Sequence, residues 1–273
     1  MEAIHEGFSV NGYEKRNLLS LDKICSEYDA TWSSNHSLAD FRSFLFRNSR
    51  PTSPDFIELF CELAQIDIER RWRQFGDSAN RFSLNEPLPT LGSLWELPRF
   101  DRYLDMIDLN HRDSTSMVPK VLAKCEFRAR CQYGDVPHPS EYGLVGESRE
   151  LEKFLPLVAI ASPAGTIYES SFFSPLEIGR QGVDEPESIQ LWRIGSKSKL
   201  ICAILNNKSI SRRQLRISVV GGKRIQIENL SENRGFLVGP ETCVAPQSQI
   251  WLHLPAIVDL DSLTIRIRRP LFE

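Results

Sequence analysis

The stretch Lys208-Ser209-Ile210-Ser211-Arg212-Arg213-Gln214-Leu215, taken with Ile178-Gly179-Arg180 upstream, decides how this chain reads. Gly179-Arg180 follows the strand-like Leu176-Glu177-Ile178. Ser209, Ser211 and Arg212 follow the apolar run Leu200-Ile201-Cys202-Ala203-Ile204-Leu205 across a polar Asn206-Asn207-Lys208 turn. Arginines and hydroxyls therefore fall at the ends of β-like runs. A guanidinium offers paired N–H groups to a phosphate, and hydroxyl or backbone N–H donors complete its shell. Each charge-assisted bond contributes roughly 1.5–3 kcal/mol net. Two or three would supply much of the roughly 8 kcal/mol of a micromolar complex.

Alternation extends outward from this stretch. Leu215, Ile217 and Val219 alternate with Arg216 and Ser218, Gly221-Gly222 supplies a hairpin turn, and Ile225 and Ile227 alternate with Arg224, Gln226 and Glu228. Ile250–Leu254 and Thr264–Arg268 are further strands. Short strands with frequent turns predict a β-sandwich. Upstream, Ala161-Ser162-Pro163-Ala164-Gly165 marks a boundary after which the period changes from helical to alternating. The fold class expected is α+β: an all-α N-terminal domain over 1–160, then an antiparallel β-sandwich over 161–273.

The first half is patterned for helices. Ser20 caps a helix with apolar residues at Leu21, Ile24, Cys25, Tyr28 and Trp32. Ser37-Leu38-Ala39-Asp40 has the form of a capping box before Phe41, Phe44 and Leu45. Ser53-Pro54 opens a long helix through Phe56, Leu59, Phe60, Leu63 and Ile66 that stops near Gly76. Residues 77–100 have the composition of a connecting loop. Pro119–Tyr133 forms a helix ended by Gly134, and Arg149–Val158 is a third amphipathic segment interrupted by Pro156. A faint repeat relates Tyr28–Trp32 to Phe127–Cys131, and Asp40-Phe41 to Glu141-Tyr142.

Gly179-Arg180, Ser211-Arg212-Arg213-Gln214 and Leu230-Ser231-Glu232-Asn233-Arg234-Gly235-Phe236 resemble, in order and spacing, the forkhead-associated (FHA) domain. That family has a Gly-Arg after an early strand, then Ser-Arg-x-His, then an Asn-Gly-Thr turn. The resemblance covers residues 172 to 270. It implies a phosphothreonine-reading sandwich in which Arg180 and Ser211 contact phosphate, Arg212 assists, and Asn233 and Arg234 lie at the turn that orders the peptide. Gln214 stands where the family has histidine, Arg234 where it has the turn asparagine, and Phe236 where it has threonine. The last two changes fall on the peptide side. They define an alternative: an FHA-like scaffold for protein assembly without phosphate recognition. The helical half, through Tyr28, Trp32, Ile66–Trp72, Phe127–Arg130 and Pro139–Tyr142, resembles a segment that precedes the catalytic domain of some bacterial Ser/Thr protein kinases. The implied protein is a signalling adaptor that binds a phosphorylated protein or peptide, a Ser/Thr kinase or its substrate.

Composition narrows the remaining classes. Of 273 residues, 41% are hydrophobic and 25% charged, as in soluble globular proteins. There is no long apolar run for a membrane span and no signal peptide. Six dispersed cysteines without C-x-x-C spacing suggest buried free thiols in a reducing cytoplasm. Residues 1–160 hold 19 basic against 25 acidic residues, net −6; residues 161–273 hold 14 against 11, net +3. Lys208 to Arg234 alone holds seven basic and two acidic residues, a local +5 that favours an anionic partner. His111-Arg112-Asp113 imitates a kinase catalytic loop, but Val118 stands where its asparagine belongs, and no glycine-rich loop or Asp-Phe-Gly is present. Cys125 and Cys131 are poorly spaced for zinc. No nucleophile elbow, P-loop or His-Glu-x-x-His occurs. Trp32, Trp72 and Trp192 suit packing better than nucleic-acid stacking. The expectation is a binding module without cofactor or metal, with no nucleic-acid or membrane partner. A regulatory portion of a longer enzyme is the remaining alternative. Oligomeric state is not encoded in these patterns.

Overall fold

The computed structural model of the chain describes residues 12–33, 35–81, 97, 99–107, 117–144, 148–194, 197–220, 223–261 and 263–269. These divide between two compact units. One is drawn from Met1–Arg71 and Pro98–Leu122, the other from Trp72–Leu97 and Ala123–Glu273.

The first unit is helical. Helix α1 (Gly12–Thr31) begins upstream of the expected Ser20 cap, because Glu14, Lys15, Arg16, Leu18 and Leu19 continue the helix without a proline. Helix α2 (Leu38–Asn48) carries the expected capping box. Ser37 Oγ accepts from Asp40 N at 3.2 Å, and the Asp40 carboxylate accepts from Ser37 N at 2.8 Å. Helix α3 (Phe56–Arg81) starts where Phe56 N donates to Ser53 O. Helix α4 (Phe100–Leu104) was not expected; five residues are too few to show a period. Tyr28, Phe41, Phe44, Leu45, Phe60, Leu63 and Tyr103 form the core, with Tyr103 edge-on to Phe41 at 5.3 Å.

A buried carboxylate organises this core. Asp67 accepts from Tyr28 Oη at 2.8 Å, Trp32 Nε1 at 2.7 Å, Tyr103 Oη at 2.6 Å and Arg71 Nε at 2.7 Å. Asp67 is fully buried, so these donors stand in for the water it has lost. Burial and the adjacent carboxylate push both tyrosine hydroxyls far above their ordinary range, so both remain donors.

In the second unit, α3 continues past Gly76, where the sequence suggested a stop, to Arg81. Gly76 serves close approach instead: a Cβ there would meet Tyr133 O at 2.6 Å. Tyr133 ends helix α5 (Val118–Tyr133), and Gly134 N donates to Arg130 O as the C-terminal stop expected. Residues 77–81 are thus helix, not loop; 82–96 and 98 lie outside the described residues, as do His111-Arg112-Asp113. Glu126, buried, accepts from Tyr142 Oη at 2.8 Å, and Arg130 donates to Tyr142 Oη at 2.7 Å and to Asp135 at 2.8 Å. Each unit therefore contains an acid and an arginine four residues on, joined by a tyrosine from a later segment. This differs from the repeat read in sequence, which aligned Tyr28 with Phe127.

Arg149–Val158 is not one helix. Helix α6 (Ser148–Leu151) gives way to a 3₁₀ turn at Glu152–Phe154, and Pro156 precedes strand β1 (Leu157–Ser162). Ala161–Gly165 holds the turn into β2 (Gly165–Ser171). There follow β3 (Leu176–Arg180), β4 (Gln190–Ile194), β5 (Lys197–Ala203), β6 (Leu215–Val220), β7 (Arg224–Asn229), β8 (Phe236–Val238), β9 (Thr242–Val244), β10 (Gln249–His253), β11 (Ala256–Leu260) and β12 (Leu263–Arg268). One six-stranded sheet runs β2-β1-β12-β11-β8-β9, the other β10-β7-β6-β3-β5-β4. Pairing is antiparallel except for β3 with β5. The chain is thus a helical N-terminal part followed by a mostly antiparallel two-sheet sandwich, as the sequence predicts.

Alternation sets the register. Leu215, Ile217 and Val219 of β6 face inward beside Ile225 and Ile227 of β7, with Ile217 opposite Ile227. Each buried aliphatic side chain contributes about 1.5–3 kcal/mol. The Gly221-Gly222 turn between these strands lies outside the described residues. The cysteine expectation needs correction: Cys125, Cys131 and Cys202 are buried, Cys25 and Cys61 half-buried, and Cys243 exposed. Cys243 sits on edge strand β9 with its side chain away from the inward-facing Val244.

Removing the Asp67 carboxylate takes the acceptor from Tyr103 Oη, Trp32 Nε1 and Arg71 Nε, and one of two partners from Tyr28 Oη, which also meets His36 Nε2. Asp67→Ala is expected to lower stability by about 3–5 kcal/mol. Urea unfolding followed by far-UV circular dichroism will measure this.

Candidate functional site

The site is built where the loop after β5 crosses the end of β3. Gly179 is required there because a Cβ would fall 2.1 Å from Arg212 O. This contact seats the 209–214 loop directly on β3. Backbone bonds then lock the crossing: Arg180 N donates to Ser211 O at 3.0 Å, and Gln214 N to Ile178 O at 2.9 Å. Gly179 O accepts from Cys202 Sγ at 3.4 Å, and burial pushes that thiol up to about 12.

Arg180 is half-buried, at the last position of β3. Its Nη1 donates to Leu205 O at 2.8 Å, while Nε is buried with no partner among the described residues. The side chain is thus held from one end with donor capacity left over. Ser211 Oγ lies 2.7 Å from Ser231 Oγ. Ser231 Oγ also accepts from Asn233 N at 3.4 Å and Arg234 N at 3.1 Å. Ser231 therefore connects the Ser211 loop to the Asn233-Arg234 turn. All five sequence candidates (Arg180, Ser211, Arg212, Asn233 and Arg234) belong to segments joined through these bonds. The side chains of Arg212, Asn233 and Arg234 are exposed and unpaired among the described residues.

The supporting amides lie beneath. Gln214, buried, accepts from Ser211 N at 3.0 Å and donates to Arg234 O at 3.3 Å. It makes the two-sided hydrogen bonds expected of an amide in a histidine's place. Asn229, also buried, donates to Arg234 O at 2.9 Å, Val244 O at 3.1 Å and Ala245 O at 3.0 Å, and accepts from Ser231 N at 3.0 Å. Neither Asn229 nor Ser231 was singled out in the sequence. Their only local signal is a polar pair closing the alternating β7 strand.

The basic cluster is less available than its charge count suggests. Arg213 and Arg216 both pair with Glu177, and Arg216 also with Glu228. These pairs follow strand register, with Glu177 opposite Arg216 and Arg216 opposite Glu228. Arg224 is fully buried, 5.3 Å from the Trp251 ring centroid. Lys208, Arg212, Lys223 and Arg234 remain as exposed cations without an ion-pair partner among the described residues. A cavity of about 550 Å³ adjoins the site, bordered by Asn233, Arg234 and Phe236. Phe236 is 4% exposed and belongs to the core face of β8. Among the described residues no group of acidic, His or Cys side chains is placed to hold a metal ion, and no helix is long and apolar enough to cross a membrane.

Substituting Gly179 tests the crossing. Gly179→Ala forces the loop off β3 and is expected to cost about 1–3 kcal/mol in stability. Thermal unfolding measures that loss, and amide exchange at Arg180 and Gln214 should rise selectively.

No protein-family model and no curated protein matches this chain in sequence. Solved structures do match it. The FHA domain of the CT664 protein from Chlamydia trachomatis is 17% identical, covering 42% of this chain and 96% of its own, with a TM-score of 0.30. The N-terminal FHA domain of Rad53p from S. cerevisiae, in complex with a phosphothreonine peptide, is 13% identical, covering 41% of this chain and 93% of its own, with a TM-score of 0.28. EmbR from Mycobacterium tuberculosis, in complex with a low-affinity phosphopeptide, is 14% identical and covers 96% of this chain and 57% of its own, with a TM-score of 0.29. The first two matches are FHA domains, the family that Gly179-Arg180 and Ser211-Arg212 resemble in sequence.

Proposed function

We propose that this protein is a phosphothreonine-peptide-binding adaptor whose ligand is a phosphorylated protein in a Ser/Thr kinase pathway, either the kinase or its substrate. The observation that carries this reading is Arg180: a half-buried guanidinium anchored at Nη1 by a backbone carbonyl, with Nη2 unengaged among the described residues. A guanidinium held in place by one bond offers its remaining N–H groups to an anion with part of its side-chain freedom already lost.

Ser211 supports the same reading through proton counting. A hydroxyl has one donor and two acceptor positions. Ser231 Oγ already accepts two backbone N–H groups, so its proton goes to Ser211 Oγ. Ser211 is then free to donate its own proton to a phosphate oxygen. Arg212 and Arg234 add exposed positive charge beside it, and Asn233 offers an unengaged amide to a peptide backbone. The sandwich, which begins with β1 at Leu157, serves as the reader. Six free cysteines without a disulfide fit a reducing, cytoplasmic setting. The module acts by binding, not by catalysis.

The scaffold alternative has Arg234 and Phe236 fill the peptide groove. Arg234 is exposed, Phe236 is buried on the core face of β8, and both border the cavity, so the phosphate dependence of binding decides between the two readings.

Calorimetric titration of the full chain with a degenerate phosphothreonine peptide library tests the proposal. Binding should depend on the phosphate, and Arg180→Ala should weaken it about 10- to 100-fold. Equal affinity for phosphorylated and unphosphorylated peptides is the result that favours the scaffold.

A further inference from the structure

The outer face of the sheet β2-β1-β12-β11-β8-β9 carries apolar side chains that the sandwich core does not use. Residues directly opposite each other in antiparallel strands point to the same side. Register therefore puts Thr264, Asp259, Leu237 and Cys243 in one row across β12, β11, β8 and β9, with Arg266 and Ile257 opposite each other in the next row. The alternate residues, such as Val258 and Ile265, are buried, so both rows face outward. Leu237 is 43% and Ile257 47% exposed, and Cys243 beside Leu237 is exposed as well. Gly239, whose N–H donates to Ile257 O at 3.0 Å, has no side chain to cover that isoleucine. Apolar residues grouped on an outer face mark a contact surface.

Charge on this face is present but not paired. Elsewhere on the sandwich, opposite charges on neighbouring strands meet: Arg268 pairs with Glu169, and Arg216 with Glu177 and Glu228. Asp259 and Arg266 are diagonal neighbours on β11 and β12, yet they form no ion pair. Asp259 Oδ1 accepts instead from Thr264 Oγ1 at 2.7 Å, and Arg266 is exposed with no partner among the described residues. Both flank Ile257. Arg266 lies across the ladder from it, about 5 Å away between Cα atoms, and Asp259 two residues along the strand, about 7 Å away.

We propose that this face is a self-association surface and that its occupant is a second copy of this chain. A twofold axis lying in the face, through Ile257 and between the directions to Arg266 and Asp259, exchanges those two nearly equidistant positions. It seats Ile257 on Ile257 of the second copy and sets Asp259 of each chain against Arg266 of the other. One unpaired acid and one unpaired base per chain thus become two ion pairs per dimer, around an apolar centre. A partner surface of a single charge sign satisfies one of them and repels the other. Leu237, Cys243 and Asp259 also border the cavity beside the phosphate loop, whereas Ile257 and Arg266 do not, so the centre of the contact lies off that cavity. Self-association through this face does not depend on what Arg180 and Ser211 bind.

Sedimentation velocity of the full chain across the micromolar concentration range tests this, with reductant present to keep the exposed Cys243 from forming a disulfide. The wild type should dimerise in that range, as small interfaces do. Asp259→Lys and Arg266→Glu each set like charges together twice per dimer, and each should weaken dimerisation about tenfold. An equal mixture of the two variants should recover it, because a mixed dimer has an opposite-charge pair at both contacts. Melting curves check that both variants fold. Ile257→Arg, at an exposed position, should abolish the dimer in its own right. A wild type that stays monomeric, as it would if the face served a different partner, overturns the proposal. A dimer that all three variants retain, or one that Asp259→Lys and Arg266→Glu lose and their mixture does not recover, overturns it as well.

Discussion

The sandwich's loop architecture depends on one steric fact: no side chain fits at residue 179, because Arg212 O lies 2.1 Å from the place of a Cβ. That approach lets two backbone bonds form, Arg180 N to Ser211 O and Gln214 N to Ile178 O. It puts Arg180 and Ser211 side by side although they lie 31 positions apart in the chain. The second constraint is the amide of Asn229. Three carbonyls, from Arg234, Val244 and Ala245, converge on its Nδ2. Buried carbonyls without donors cost free energy, so this one side chain sets where the 230–235 turn sits. Gln214 ties the two constraints together, accepting from Ser211 and donating to Arg234.

The helical residues show the same physics in another form. Asp67 in one unit and Glu126 in the other are buried acids, each joined by a tyrosine hydroxyl to an arginine one turn further along the helix. A buried carboxylate with several donors fixes the positions of those donors more narrowly than apolar packing does, because each donor lost leaves charge exposed to a poor solvent. Arg269 adds a related tie, donating to Gln132 O at the end of α5, and burial pulls its guanidinium down to about 10.

Legibility in the sequence followed from how local the cause was. The alternation of β6, β7 and β12 was readable because one face of each is buried, which imposes a period of two on the residues themselves. The capping box at Ser37 and the stop at Gly134 were readable because their partners lie within a few residues. The five-residue α4 and the three-residue β8 and β9 show no period, being shorter than one needs. Gly76 reads as a helix stop but serves close packing, a role decided by Tyr133 far along the chain. Ser231 and Asn229 look like ordinary turn residues until the carbonyls they serve are brought to them.

The charge count misled for a similar reason. Seven basic residues between Lys208 and Arg234 suggest a broad anion-attracting face. Strand pairing commits Arg213 and Arg216 to Glu177 and Glu228, and burial removes Arg224. Lys208, Arg212, Lys223 and Arg234 are left exposed, besides a half-buried Arg180. A diffuse basic patch attracts many polyanions, and its attraction is screened by salt. Strand pairing thus removes part of the net field that the residue count implies. Under the phosphopeptide reading proposed above, the few cations left over serve a compact, multiply charged group held at short range better than a polyanion.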